Sequence, residues 1–457
     1  MADAAVEQLV DYVTSGAATD LSCAVIHQAK RRVIDTMGCA LAAVDAPPAR
    51  IARELAIPVC DAFTARVIGD LARTTPDLAA FANGVMVRYL DMNDDSGLPG
   101  SGAHPSDNFP AVLAVAEAMG ASGIDFIRAL TISYQVQCRI VDSAPFNLRG
   151  WDQPIAGGIA AAAACGKLLN LTRDQLREAV ALALTPSFSS YQTRIGDISM
   201  WKACAGAHGA RQGVFAAVLA AKGMTGPADP ISGKFGLWAL TTGEMRQIRP
   251  YVSNTERLFI TRTVIKKHPV RNAGQLMVDT ALDLHDKLAR RNITALRIRT
   301  FRSAFKSKDV ECPQAWAATS RETADHSVLF AVAATLLDGS LTPDSYDRRR
   351  YLDHDIHGLI KNTRLDIENA FDRDYEIGVR NCAMEATLSG GASVASHLKL
   401  TAEDMASGPS DADIESKFNR LTQRMLRPLQ QRALLDVLWN LENVENVKIL
   451  LDHTGVH

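Results

Sequence analysis

The residues of this sequence that could do chemistry begin in the loop LDMNDDSGLPGSGAHPSDNFP, at residues 90–110. Asp91, Asp94 and Asp95 precede a glycine-rich stretch, and His104 ends that stretch shortly before an alanine-rich helical pattern. Carboxylates and an imidazole that lie close together can serve as general acid and base groups in proton transfer. The loop is therefore the first candidate for a catalytic site.

Two other interpretations of this loop compete with catalysis. Its D-x-N-x-D spacing resembles the start of a calcium loop, which requires glycine at the sixth position and glutamate at the twelfth. This chain has Ser96 and Gly102 at those positions, so the calcium interpretation fails. The structural alternative stays open, because acids in glycine-rich loops are commonly solvated and residues 106–108 can cap the helix that follows.

Three further segments place charged residues within apolar or glycine-rich surroundings. They carry Arg194 and Lys202 in YQTRIGDISMWKACAGAHGA, Lys266 and Lys267 in VIKKHPVRNAGQ, and Asp325 and His326 in TADHSVLFAVAATLLDG. Each segment lies beside an expected helix start, where backbone N–H groups favour anions. Taken singly, Lys202 and the pair Lys266 and Lys267 are more typical of a solvated surface, and His326 is also compatible with a helix cap. Their recurrence favours a functional site.

The composition excludes several classes of protein. The chain has 457 residues, of which 47% are hydrophobic and 22% charged, and its formal net charge is −2. This near-neutral charge predicts no basic surface that would attract nucleic acid. No stretch of the sequence contains the ~20 consecutive apolar residues that a membrane span needs. The N-terminus shows no secretory or transit pattern, which predicts a cytoplasmic location. Eight cysteines without a C-x-x-C pair argue against a disulfide framework, a zinc site or an iron–sulfur cluster.

The hydrophobic periodicity predicts a mainly α protein with a smaller α+β unit. Alanine-rich helical patterns fill the first half of the chain, and from Ile293 the run ITALRIRTF alternates as a strand does. A Ser-Gly-Gly turn in RNCAMEATLSGGASVASHLKL indicates a hairpin. We expect an all-helical domain over 1–263, an α+β lid over 264–402, and C-terminal helices over 403–457 that pack back on the first domain.

The motifs in their order resemble a known family. The series LDxND…HPSDN, MWKxCAxxxxARxG, K-x-H/F-P…Q and DHSxxxxVAxxLLDG is similar to that of the MmgE/PrpD superfamily. This superfamily includes 2-methylcitrate dehydratase, cis-aconitate decarboxylase and iminodisuccinate epimerase. The resemblance spans nearly the whole chain and implies a large helical domain, a smaller α+β lid and a homodimer.

The resemblance also implies roles for particular residues. The catalytic candidates match the first aspartate of the acidic motif, the HPS histidine, the two motif lysines and the DHS histidine: Asp91, His104, Lys202, Lys266 and His326. The substrate-binding candidates are Asp95, Ser106, Asp152, Arg194, Lys267 and Asp325. Which group is the acid and which the base stays open at this point.

Three positions depart from the family pattern. The decarboxylase-like members resemble G-(F/W)-H-P-T where this chain has GWDQP, so that Asp152 replaces a histidine. Phe330 stands at the tyrosine of their DHSLPY motif, and Asp95 replaces the threonine that usually follows the acidic motif. These departures make decarboxylation the least expected of the family's activities.

The predicted function is that of a cofactor-independent hydro-lyase acting on a hydroxylated di- or tricarboxylic acid such as 2-methylcitrate. Such chemistry needs a base at the carbon next to a carboxylate and cations on the carboxylate oxygens. An epimerase or racemase of a related dicarboxylate is the first alternative, because the same groups would serve it. A non-catalytic homologue that binds carboxylates is the second. No cofactor and no metal are expected.

Overall fold

The computed structural model describes residues 3–15, 20–70, 72–98, 102–251, 258–289, 291–304 and 312–455. The first and larger part of the chain consists of helices and one short two-stranded ladder. Its helices are α1 (Ala4–Thr14), α2 (Cys23–Ala42), α3 (Pro47–Leu55), α4 (Pro76–Tyr89), α5 (Phe109–Met119), α6 (Gly123–Ser143), α7 (Pro154–Leu168), α8 (Arg173–Leu184), α9 (Trp201–Ala221) and α10 (Leu237–Thr241). The ladder pairs β1 (Ala65–Arg66) with β2 (Arg73–Thr74).

Small residues bring α4, α7 and α9 into close contact. A Cβ atom on Gly84 of α4 would lie 2.7 Å from the Cβ of Ala207, and one on Gly213 of α9 would lie 2.4 Å from the Cβ of Ala161. Larger side chains at these glycines would force the helices apart. The close packing of α4 on α9 also brings the loop after α4 towards the first turn of α9, where Lys202 lies.

The second part of the chain contains a mixed four-stranded sheet. Its strands are β3 (Ile293–Thr300), β4 (Thr363–Ile367), β5 (Arg380–Leu388) and β6 (Ser393–Leu400), in the order β4-β3-β5-β6. β3 is parallel to β4 and antiparallel to β5, and β5 and β6 form the predicted hairpin. The helices of this part are α11 (Gln275–Leu288), α12 (Pro313–Trp316), α13 (Arg321–Ala324), α14 (Val328–Asp338), α15 (Pro343–Asp347), α16 (His354–Lys361) and α17 (Asn369–Glu376).

Each part has a hydrophobic core of its own, and the C-terminal helices contribute to the first. The C-terminal helices are α18 (Ala402–Ser407), α19 (Asp411–Thr422), α20 (Pro428–Trp439) and α21 (Lys448–Asp452), of which α19, α20 and α21 supply buried residues to that core. Phe418 of α19 and Leu434 of α20 are buried in the first core, and Phe418 packs 3.3 Å from the position a Cβ would take on Gly38. The second core lies between Val270 and Leu388. The fold is thus mainly α with a smaller α+β part, as expected, while the boundaries at 263 and 402 remain predictions.

Two further observations concern the chain as a whole. All eight cysteines are free. Among the described residues, no helix combines the length and the apolar character that a membrane crossing requires.

Candidate functional site

A cavity of about 210 Å³, the front cavity, opens between the helical part and the α+β part. The helical part contributes the acidic loop after α4, the turn before α7 and the segment before α9. The α+β part contributes residues 271–273, Phe301, Ser303, His326, Tyr375 and Arg380. Substrates commonly bind in such clefts between two structural units.

Asp91 lines the front cavity and has a left-handed backbone conformation with a φ angle of 52°. Its Oδ1 accepts hydrogen bonds from Arg88 and from Lys266, the latter at 2.9 Å. Lys266 Nζ also donates to the Asp91 carbonyl oxygen at 2.9 Å. Burial alone would raise the pKa of Asp91, but the positive charges of Arg88, Lys266 and Lys202 outweigh burial and hold that pKa well below its usual value. Asp91 is therefore ionised.

His104 closes the acidic loop on the same wall of the cavity. Its Nδ1 lies 2.8 Å from the carbonyl oxygen of Asp94, which can only accept, so Nδ1 carries the hydrogen. Its Nε2 lies 3.1 Å from Nη2 of Arg88 and accepts a hydrogen bond from it. Burial, together with the charges of Arg88 and Lys266, lowers the pKa of His104 well below its usual value. The imidazole is thus neutral.

Asp325 joins a lysine of the helical part to a histidine of the α+β part. Lys202, in the first turn of α9, donates a hydrogen bond to Asp325 Oδ2. Nδ1 of His326 lies 2.7 Å from Asp325 Oδ1 and 3.9 Å from Asp91 Oδ2. Burial lowers the pKa of Lys202 to about 8, and burial with the charge of Lys202 lowers the pKa of His326 to about 3. His326 is neutral at physiological pH.

These contacts connect most of the predicted catalytic residues, but not all of those residues reach the cavity wall. Asp91, His104 and His326 line the front cavity. Lys202 and Lys266 are almost fully buried and lie behind the carboxylates that they pair with. Substrate in the front cavity would therefore meet the aspartates and histidines before the lysines.

Among the predicted substrate-binding residues, Asp95, Asp152 and Arg194 line the front cavity. Asp152 begins the turn into α7, and its Oδ2 accepts a hydrogen bond from Arg194 Nε at 3.1 Å. Nη1 of Arg194 is buried and has no hydrogen-bond partner among the described residues. Asp95 accepts a hydrogen bond from Asn272 of the α+β part at 3.1 Å. Arg194 therefore offers an unused donor to an anion.

The structure does not bring Ser106 or Lys267 to the front cavity. Ser106 is fully buried, and its Oγ accepts a hydrogen bond from Asn93 Nδ2 at 3.0 Å, so it supports the acidic loop from within. Lys267 is exposed and pairs with Asp279 at 2.9 Å on a different face. Phe330 also lies away from the front-cavity lining, packed against Tyr346 and Tyr351. Of the two decarboxylase-motif departures, Asp152 and Phe330, only Asp152 lines the cavity.

The sequence analysis missed several cations of the site. Arg88 is 2% exposed and binds both Asp91 and His104, and its i, i+3 spacing from Asp91 at the end of α4 was an available signal. Arg271 and Arg380 line the cavity from the α+β part. Arg271 lies within the quoted VIKKHPVRNAGQ run, whereas Arg380 begins a strand and had no signal beyond its charge.

Two carboxylates and an imidazole of this cluster have the chemistry of metal ligands. Asp91, Asp325 and His326 offer ligand atoms that all lie within 4.8 Å of one another. However, Lys202 and Lys266 already occupy one oxygen of each carboxylate, and ammonium groups next to a cation oppose its binding. The absence of a metal requirement stays a prediction, which chelation can test.

The fold and the site together define a two-part helical protein with a buried acid, base and cation cluster at the junction of its parts. Comparison with known families agrees: the MmgE/PrpD N-terminal domain matches residues 7–247, and the MmgE/PrpD C-terminal domain matches residues 268–443. The chain belongs to the MmgE/PrpD family.

Several curated relatives are similar over most of their length. The 2-methylcitrate dehydratase of Cupriavidus necator is 28% identical, over 95% of this chain and 93% of that protein. The human cis-aconitate decarboxylase is 24% identical, over 93% of this chain and 89% of that protein. The 2-methylcitrate dehydratase of Salmonella typhimurium is 27% identical, over 82% and 79%. Both named activities are lyase reactions, which supports a lyase-type function in the family.

Proposed function

We propose that this protein is a hydro-lyase that removes water from a hydroxylated di- or tricarboxylic acid such as 2-methylcitrate. The observation that carries the proposal is the front cavity itself, where two neutral imidazoles and an ionised aspartate stand among arginines from both parts of the chain. Arginine guanidinium groups match the geometry of carboxylates. The similarity to two dehydratases and a decarboxylase of such acids supports the same substrate class.

In the proposed mechanism, His326 acts as the base. Its Nδ1–H is held by Asp325, so its Nε2 is the acceptor that can take a proton from the carbon next to a substrate carboxylate. The electron pair left on that carbon forms the double bond as the neighbouring C–O bond breaks. The proton on His326 then joins the departing hydroxide, so that water leaves and the imidazole returns to its neutral form.

The cations have two separate tasks in this mechanism. Arg88 and Arg194 both line the cavity: Arg88 stabilises the negative charge that develops on the substrate, and Arg194 binds a substrate carboxylate through its unused Nη1 donor. Lys202 and Lys266 do not reach the cavity, and they act as positioning residues through Asp325 and Asp91. No step needs a metal or an organic cofactor.

One observation keeps an epimerase as the second candidate function. His104 and His326 both line the front cavity, and His104 becomes a second proton-transfer group if the substrate displaces the hydrogen bond that Arg88 donates to its Nε2. The homodimer and the cytoplasmic location remain part of the proposal, supported by the family resemblance and the composition.

The fate of the abstracted proton tests the proposal. A lyase supplied with 2-methylcitrate in heavy water should form an unsaturated acid, with rising near-ultraviolet absorbance. An epimerase should instead incorporate deuterium into the substrate carbon while optical activity decays and no unsaturated product forms. Binding without either change would identify a non-catalytic homologue, and release of carbon dioxide would contradict all three and identify a decarboxylase.

A further inference from the structure

A second cavity of about 410 Å³, the rear cavity, lies behind the Lys266 segment. It is enclosed by α2, residues 261–267, the start of α11 and the chain around the junction of α18 and α19. Lys266 lines this cavity rather than the front one, while Asn272 and Arg380 line both. The two cavities are therefore neighbours that share part of their walls.

The wall of the rear cavity is strongly basic. Among the described residues that line it, eight are lysine or arginine and three are aspartate. Four of these cations already pair with carboxylates, namely Arg31 with Asp411, Lys266 with Asp91, Lys267 with Asp279 and Lys417 with Asp35. Asp404 and Asp413 cap α18 and α19. Arg32, Arg262, Arg380 and Arg420 therefore remain as the cations of the wall that have no ion pair with a described residue. Like charges gathered around an enclosed volume repel one another unless an anion compensates them.

Arg32 is the most deeply buried cation of this wall that lacks a bound carboxylate. It is 4% exposed, and its guanidinium donates to Thr263 Oγ1 at 2.9 Å, to the Thr263 carbonyl at 2.7 Å and to the Gln28 carbonyl at 3.2 Å. All of its hydrogen-bond acceptors among the described residues are neutral oxygens. Burial lowers the pKa of Arg32, and the nearby charges of Asp94 and Asp35 offset this effect only in part, so the guanidinium is incompletely compensated. Arg262 and Arg420 are exposed on the same wall and form no ion pair with a described residue.

We propose that the rear cavity is a second anion-binding site, for a compact polyanion of the phosphate or polycarboxylate type held by Arg32, Arg262 and Arg420. The site is separate from the proposed chemistry but adjoins it. Lys417, on the wall of the rear cavity, donates to the carbonyl oxygens of Lys266 at 2.7 Å and Met92 at 2.9 Å. An anion there relieves repulsion around the segment that holds Lys266 and so stabilises the native state.

Calorimetric and thermal-shift titration with inorganic phosphate tests this site, with tricarballylate, a tricarboxylate without a hydroxyl group, as the second probe. Wild type should bind at least one of the two saturably, with a rise in melting temperature. Arg420→Gln and Arg262→Gln should each weaken that binding about tenfold, the usual scale for one charged hydrogen bond. Both side chains are exposed, so the variants should fold. Arg424→Gln is the matched control, because Arg424 is exposed, pairs with Asp344 and lies outside the cavity.

The outcomes separate the two cavities and the two ligand types. Rear-cavity binding should survive Arg194→Gln, which alters the front cavity. The probe whose binding depends on Arg420 identifies the ligand type as phosphate or polycarboxylate. The proposal is wrong if neither probe binds, if Arg420→Gln and Arg262→Gln both leave affinity unchanged, or if Arg194→Gln alone abolishes binding. None of those results would affect the hydro-lyase proposal, which depends on deuterium and product formation.

Discussion

Asp325 orients His326 through a contact of 2.7 Å between its Oδ1 and the histidine Nδ1. Because a carboxylate can only accept, the hydrogen of the neutral imidazole lies on Nδ1 and the Nε2 lone pair is available. The same carboxylate accepts from Lys202 through its other oxygen. One aspartate therefore links a helix of the large part to the histidine that lines the front cavity, and this link leads to the first prediction.

Replacing His326 should remove most of the activity. His326→Gln should lower kcat by ~10²–10⁴ with the fold intact, since that is the usual contribution of one general acid–base group. Steady-state kinetics with circular dichroism measure both properties. His354→Gln is the control, because His354 is exposed on α16 in the same part of the chain. A folded His326 variant with near-normal kcat would exclude His326 as the base.

His104→Ala should also lower kcat, for a different reason. His104 accepts a hydrogen bond from Arg88, which at the same time binds Asp91. Removing the imidazole frees that donor and disturbs the position of Arg88 beside Asp91. We expect kcat to fall roughly 10- to 100-fold, the range for one charged hydrogen bond, measured as above. Activity close to wild type would show that the contact between His104 and Arg88 is not needed for catalysis.

The fold was predictable because periodicity and burial follow local rules. Leu296 and Ile298 alternate with Arg297 and Arg299, and in the sheet the apolar pair is buried while the arginines are more exposed. The Ser-Gly-Gly turn likewise predicted the hairpin between β5 and β6. Such patterns act within one element and need no knowledge of distant contacts.

The direction of each charged side chain was harder to predict, because it depends on tertiary packing. Lys266 and Lys267 are adjacent in sequence, yet the first pairs with Asp91 in the interior and the second pairs with Asp279 at the surface. Arg380 reaches the cavity because strand β5 begins beside the acidic loop, and these two segments lie almost three hundred residues apart in the sequence. Motif order could identify the segments, but not which side chains reach the cavity.

The pH dependence of kcat should reflect the protonation state of Lys202. Burial lowers its pKa to about 8, so the ammonium is charged below that pH and neutral above it. Loss of the charge breaks the ion pair that holds Asp325, and kcat should therefore fall as the pH rises through about 8. Lys202→Arg should move this fall to higher pH, because arginine stays charged. A wild-type profile that is flat from pH 7 to 10 would contradict this role for Lys202.

Arg194 should affect substrate binding more than the chemical step. Its Nε is held by Asp152, and its Nη1 is buried without a partner among the described residues. If Nη1 binds a substrate carboxylate, Arg194→Gln should raise KM roughly 10- to 100-fold, the range for one charged hydrogen bond, with a smaller effect on kcat. Arg211→Gln is the control, because Arg211 pairs with Asp77 away from the cavity. An unchanged KM would exclude Arg194 from the binding site.

Chelation tests whether the cluster works without a metal. Asp91, Asp325 and His326 have the composition of a metal site, but a divalent ion would have to compete with Lys202 and Lys266 for the carboxylate oxygens. We therefore expect full activity after prolonged dialysis against EDTA, with elemental analysis confirming that no stoichiometric metal remains. The opposite result would be complete loss on dialysis, restored by one divalent ion and not by others. That result would make the three residues ligands, and Asp325→Asn would then abolish metal binding together with activity.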